Sequence, residues 1–182
     1  MRQYAIAIIV GSLRRDSFNH QLARAISLLG PPEFAFQHVS IGDLPLYNQD
    51  DDASPAASVR RLKDEIAAAQ GLIFVTPEYN RSVPGVLKNA IDHASRPYGK
   101  SAWDGKPAGV IGVSIGTNGT AMAQQHLRNI LACLDVPTLC QPEAFIQAKG
   151  LFDETGQLSA ANHKIVLKWM EHFVAWVKQH AN

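Results

Sequence analysis

The chain has 182 residues and a formal net charge of +1 at pH 7, which is length enough for one domain, 1–182, with a sizeable core. A composition that is 46% hydrophobic and 18% charged excludes a disordered chain. With no long basic run, nucleic-acid binding is excluded too, because it needs clustered positive charge.

The first apolar run, Ala5-Ile6-Ala7-Ile8-Ile9-Val10, belongs to a strand from Tyr4 to Val10. It is far too short to span a bilayer and lacks the small-residue cleavage region of a signal peptide, so the chain reads as soluble and cytoplasmic. A helix begins near Ser17 or Asn19, buries Leu22, Ala23, Ile26 and Leu29, and is stopped by Gly30-Pro31-Pro32. A second strand is expected from Phe34 to Val39. After a turn-rich segment, Ser54 is expected to cap a second helix with Pro55 in its first turn, where Val59, Leu62, Ile66 and Ala69 repeat at the helical period.

The third strand, 71–76, carries Leu72-Ile73-Phe74-Val75, the continuous apolar run of a strand covered on both faces. A third helix follows over Gly85 to Ala94, a fourth strand over Ala108 to Ser114, a fourth helix over 120–134, a fifth strand over 138–140 and a last helix over 160–178. In that last helix Ile165, Trp169, Phe173, Trp176 and Val177 should share one stripe. Cys133 and Cys140, in apolar surroundings and without metal-ligand spacing, read as buried small hydrophobes. Five strand–helix units in alternation predict an α/β, flavodoxin-like fold: a five-stranded parallel sheet of order 2-1-3-4-5 with helices on both faces.

In such a sheet ligands bind beyond the carboxyl ends of the strands where the strand order reverses, here between strands one and three. The loops after those strands carry the chemistry. The first is Gly11-Ser12-Leu13-Arg14-Arg15-Asp16-Ser17-Phe18-Asn19. Gly11 permits a sharp turn, Ser12, Ser17 and Asn19 offer donors, Arg14 offers a charged fork, and the following helix directs its N-terminus at the loop. Ser17 fits equally as the helix N-cap. Neither a Gly-x-Gly-x-x-Gly fingerprint nor an ATP loop is present, so one phosphate is expected there. The second loop, Thr76-Pro77-Glu78-Tyr79-Asn80-Arg81-Ser82-Val83-Pro84-Gly85, offers an aromatic ring and backbone N–H groups to a flat ligand. Ser82 and Pro84 also read as a helix start. A third loop, 114–120, brings Ser114 and Gly116 to the same end. Together the loops point to bound flavin mononucleotide (FMN), and not FAD. Seven histidines give no pair with metal spacing. Neither Ser12 nor Ser114 sits in a hydrolase elbow. Arg15, Arg81 and Arg96 are candidates to attract the phosphates of a nicotinamide cofactor.

The two loops, together with Leu87, Lys88, Asn89, Ala90, Ile91, Asp92 and the run Gln125-His126-Leu127-Arg128, resemble the NADPH-dependent FMN reductase family, above all its bacterial quinone and chromate reductases. The resemblance implies non-covalent FMN, NADPH or NADH as co-substrate, and a homodimer or homotetramer joined through the flavin-side surface. It assigns Ser12, Arg14, Ser17 and Asn19 to the phosphate, Pro77, Glu78, Tyr79 and Asn80 to the ring, and Ser114 to the flavin after strand four. Met122 and Gln125 stand where relatives often carry Arg and Tyr, at the expected subunit boundary. The implied activity is hydride transfer from NAD(P)H through FMN to a quinone, chromate or free flavin, with no side-chain acid or base required. A flavodoxin-like electron carrier is the alternative reading, but such carriers are strongly acidic. Finally, Asp43-Leu44-Pro45-Leu46-Tyr47 is unusually apolar for a loop and is expected either at a dimer contact or folded back on its own domain.

Overall fold

The continuous apolar runs form the middle of one sheet. In the computed structural model, which describes residues 2–181, five strands alternate with five α-helices among those residues. They are β1 (Tyr4–Val10), α1 (Phe18–Leu29), β2 (Phe34–Val39), α2 (Ala57–Ala68), β3 (Gly71–Val75), α3 (Gly85–Ala94), β4 (Ala108–Ser114), α4 (Ala121–Cys133), β5 (Phe145–Gln147) and α5 (Ala160–His180). All strands pair in parallel, in the order β2-β1-β3-β4-β5. Registers such as Ile6↔Gly71 and Leu72↔Ala108 bring the C-terminal ends of β1, β3 and β4 side by side.

The two-residue period of the strands sorts the core into two layers. Ile6, Ile8, Val10, Ile73, Val75, Ile111 and Val113 meet α1 and α5 through Leu22, Ile26, Trp169 and Phe173. Ala7, Ile9, Leu72, Phe74 and Val110 meet α2, α3 and α4 through Leu62, Ile66, Leu87, Ile91 and Leu127. Each fully buried Leu, Ile or Phe contributes roughly 1.5–3 kcal/mol, so both layers hold the strand ends rigidly beneath the loops.

The fifth strand differs from the sequence expectation. Thr138 makes a single bridge to Ala108, then the chain leaves the sheet and returns as β5, with Phe145 beside Gly112. Pro142 lies within the excursion and has no N–H to give to a ladder. Nor does Ser54 cap α2: that helix starts at Ala57 with Ala56 as an N-cap that makes no side-chain bond, and the Ser54 N–H is used by Asp51 in the preceding 3-10 turn. On α5 the buried stripe is Val166, Trp169, Met170, Phe173 and Val177, leaving Ile165 exposed and Trp176 half-buried. Both cysteines are free and exposed, not buried. Cys133 falls on the face of α4 away from Leu127 and Leu131, and Cys140 lies in the excursion before β5.

Candidate functional site

Gly11 extends the β1–β3 ladder by one bond, its N–H donating to Val75 at 2.9 Å, and the chain then turns into the first loop. Ser12 is buried. Its Oγ accepts the Arg14 N–H at 3.3 Å, and its carbonyl accepts from His20 Nε2 at 2.8 Å. The Arg14 guanidinium lies over the Phe18 ring, 5.3 Å from the centroid, which holds an otherwise exposed cation beside the start of α1. Ser17 is the N-cap, its Oγ accepting the Asn19 N–H at 3.2 Å. Asn19 is buried and grips β4: Nδ2 donates to the Val113 carbonyl at 2.9 Å and Oδ1 accepts the Val113 N–H at 3.0 Å.

The second loop leaves β3 through Thr76, whose N–H donates to Ile111 at 3.0 Å, and through buried Pro77. Tyr79 and Ser82 then exchange both backbone bonds, at 3.1 and 3.0 Å. Asn80 and Arg81 between them have φ of 52° and 63°, the signature of a type I′ turn. Arg81 occupies the position where glycine is usual, at a cost of roughly 1–2 kcal/mol. Tyr79, beside the turn, is 52% exposed. Ser82 does not cap α3, whose N-cap is Pro84; its hydroxyl shares a 3.0 Å hydrogen bond with His126 Nδ1 on α4.

The third loop folds on itself, the Ser114 hydroxyl donating to the Gly119 carbonyl. Gly119 has φ 59°, and a Cβ there would stand 2.7 Å from the Phe145 carbonyl carbon. At Gly112 a Cβ would stand 2.0 Å from the Thr76 carbonyl oxygen, so only glycine allows the end of β3 to lie this close to β4. Thr120, the N-cap residue of α4, gives that helix no side-chain bond; its Oγ1 accepts from Gln124 Nε2 at 2.9 Å. Glu78 serves the helix in its place, with Oε2 accepting the N–H groups of Met122 at 2.9 Å and Ala123 at 3.1 Å.

The three loops enclose a cavity of about 430 Å³ lined by Ser12, Arg14, Ser17, Phe18, Asn19, Pro77, Glu78, Tyr79, Val113, Ser114 and Ile115. Eight of the expected residues are therefore in its wall: Ser12, Arg14, Ser17, Asn19, Pro77, Glu78, Tyr79 and Ser114. Gly11 sits beneath it against Leu87 and Pro77, while Asn80 and Gly116 are exposed outside it. Phe18, Val113 and Ile115 are the additions. Two had a signal in the sequence: an aromatic ring at the first helical position beside Arg14, and a lone apolar residue in a polar loop.

Other candidates fall elsewhere. Arg15 and Arg81 are exposed, and Arg96 lines a separate cavity between α2 and α3 with Lys63 and His93. Asn89 brackets the 45–47 segment, Nδ2 donating to Pro45 and Oδ1 accepting from Tyr47, both at 2.8 Å. Asp92 pairs with Lys88. Among the described residues no group of three His, Cys, Asp or Glu could hold a metal ion, and no helix is long and apolar enough to cross a membrane. Glu33, His38, Lys63, Lys106, Arg128 and Asp153 are shifted from their ordinary pKa values. None of them lines this cavity. Burial is the first cause for Lys63, Lys106 and Arg128, and it lowers all three because it penalises the charge.

Ser12, Arg14 and Ser17 make one part of the wall polar and cationic at a helix start, and Pro77, Tyr79, Val113 and Ile115 make another part apolar. The model of the family described as NADPH-dependent FMN reductase matches residues 4–150. The chain belongs to that family. It is 51% identical over 175 residues to a 2-hydroxy-1,4-benzoquinone reductase of a Burkholderia species, covering 95% of this chain and 96% of the relative. It is 48% identical over 177 residues to a quinone reductase of Pseudomonas putida, covering 96% and 95%. The solved structure of the flavoenzyme NAD(P)H:(acceptor) oxidoreductase FerB of Paracoccus denitrificans superposes with a TM-score of 0.92 at 42% identity, over 98% of this chain and all of that one. The chain is thus an NAD(P)H-dependent oxidoreductase of flavodoxin-like fold with FMN as its cofactor, and the donor set described above fits that cofactor.

Proposed function

We propose that the chain is an NAD(P)H:quinone oxidoreductase, cytoplasmic and at least dimeric, whose FMN lies in the cavity at the β1–β3 switch point. The observation that carries this is the meeting of the three loops: Ser12, Arg14 and Ser17 gather at the α1 N-terminus, while Pro77, Tyr79, Val113 and Ile115 form the apolar part of the same wall. Arg14, kept in place by Phe18, supplies charge-assisted hydrogen bonds to the phosphate. Ser12 and Ser17 add hydroxyl donors, and the start of α1 adds its dipole. Tyr79 and Ile115, both in the cavity wall and exposed, would contact the ring. Bound there, FMN would supply the redox chemistry, the hydride of NAD(P)H and one proton from solvent together reducing a quinone to its hydroquinone. The protein orients the partners and transfers no proton of its own. A net charge of +1 also suits an enzyme of small molecules better than a carrier that docks on basic proteins.

The dimer rests on the apolar rim of the same end of the sheet. Leu44 packs on the core, but Leu46 is 87% and Ile115 80% exposed, and Met122 near the start of α4 is exposed too. A second copy is the commonest cover for such a rim.

Purified protein should carry or take up FMN and not FAD, and should oxidise NAD(P)H when quinone is added. Recovery of FAD alone, or no uptake at micromolar FMN, would defeat the assignment. Light scattering during gel filtration should give at least twice 19.9 kDa, and Leu46→Asp should lower that mass and loosen FMN together.

A further inference from the structure

We infer that Glu78 is a positioning residue, which sets the second loop against the flavin ring by capping α4 from outside that helix. The inference rests on the FMN reading of the cavity and gives Glu78 a role other than direct ring contact.

Three observations converge on this side chain. Glu78 lies in the cavity wall between Pro77 and Tyr79, yet its Oε2 is turned onto the Met122 and Ala123 N–H groups. Those are two of the four donors that the first turn of any helix leaves without a partner. The residue placed to serve them, Thr120, is fully buried with its hydroxyl engaged by Gln124. Glu78 therefore fills a place that the local sequence of α4 leaves empty, from 44 and 45 residues away.

The tie acts on the loop as much as on the helix. The hairpin 79–82 holds two residues at positive φ, and strain of that kind persists where the surroundings fix it. Glu78 fixes one end of the hairpin to the start of α4, and Ser82 fixes the other through His126, one turn further along the same helix. Between these two anchors sits Tyr79. A loop pinned at both ends presents its backbone and the Tyr79 ring in one geometry, and small displacements of such groups cost rate directly.

Three variants separate reach from charge. Glu78→Gln keeps an oxygen at the same distance and loses the charge. Glu78→Asp keeps the charge and is one methylene too short to reach both donors. Glu78→Ala loses both. With Gln retaining most of the wild-type turnover, Asp and Ala should each lose about tenfold in kcat for NAD(P)H oxidation, the upper end of the scale of one uncharged hydrogen bond. FMN affinity, set by the first loop, should change by no more than about threefold. The visible spectrum of bound FMN should shift in Asp and Ala and stay unchanged in Gln. In flavin-free protein, amide exchange over residues 78–82 and 121–124 should quicken in Asp and Ala only. An Asp variant that works as well as Gln or better would overturn the inference, because charge and not reach would then matter. So would a folded Ala variant with unaltered turnover and spectrum, which is the outcome of a purely structural cap. If wild-type protein takes up no FMN while the exchange ranking holds, the cofactor reading fails and the tie stands.

Discussion

Two helices begin beside the cavity, and they finish their N-termini in opposite ways. α1 is capped locally by Ser17, and its first turn, with Arg14 and Ser12 beside it, lines the cavity. α4 lacks a local side-chain cap and receives a carboxylate from the chain itself, Glu78. Both termini offer the same chemistry, free N–H groups and the positive end of a dipole. The difference is the source of the acceptor. At α1 the donors are left for an outside phosphate, whereas at α4 an oxygen of Glu78 already takes two of them. A pocket with two such termini can in this way be addressed to a ligand with one phosphate.

The anchors of the two helices give the first way to break this comparison. Asn19→Ala removes the grip of α1 on β4 and leaves the Val113 N–H and carbonyl, both buried, without partners. Each orphaned group costs roughly 1–3 kcal/mol, so urea unfolding should show a loss of about 3 kcal/mol. A loss below about 1 kcal/mol would mean that packing, and not this amide, holds α1 in place. Arg14→Ala comes next and tests whether α1 is the terminus kept for ligand. FMN affinity should fall by about tenfold to a hundredfold, from roughly 1.5–3 kcal/mol for a charged hydrogen bond, while flavin-free protein melts where it did before. Unchanged affinity would move the phosphate elsewhere.

Arg81→Gly addresses the strained hairpin on the α4 side. Relief of roughly 1–2 kcal/mol of left-handed strain, less roughly 0.5–1 kcal/mol for the added chain freedom of glycine, should leave a gain of about 0.5 kcal/mol. A lowered melting temperature would show that the Arg81 side chain makes a contact worth more than the strain. The smallest effect is a control away from both termini. His38 is held below its ordinary value of 6.5 by burial first, then by His20 and Arg24. The unfolded chain therefore takes the proton more readily, and stability should decline as pH falls through about 6.5. His38 is only partly buried, which keeps the slope shallow. His38→Gln should flatten it, and urea midpoints on either side of that pH would show an unaltered slope if another group is responsible.

Much of the fold was legible because strong periodicity met clear punctuation. β1, β2, β4 and α3 fall where their apolar runs and turn residues place them. β5 was not legible: a three-residue edge strand carries too little pattern to be told from the Thr138 segment, and the pairing depends on Gly112–Ser114 of β4. α2 starts later than its sequence suggests: Ser54 next to Pro55 is a good local cap, but the 3-10 turn before it engages the Ser54 N–H. Ile165 shows how a stripe can be offset by one residue when the helix is placed only by its own sequence. In the site, loop chemistry near the switch point was readable because topology confines it there. The destination of the Glu78 carboxylate was not, since Met122 and Ala123 offer only backbone and backbone has no sequence signature. The same holds for the Asn19 grip on Val113.

That grip has a consequence for how the molecule comes into being. Asn19 and Val113 are 94 residues apart, and contacts of such separation form late because a long loop must close first. During synthesis the first loop emerges early, yet the cavity cannot exist until Val113, Ser114 and Ile115 have followed it out and docked. A flavin bound there would meet only a chain whose β4 has docked, and the yellow colour would become an optical record of that docking.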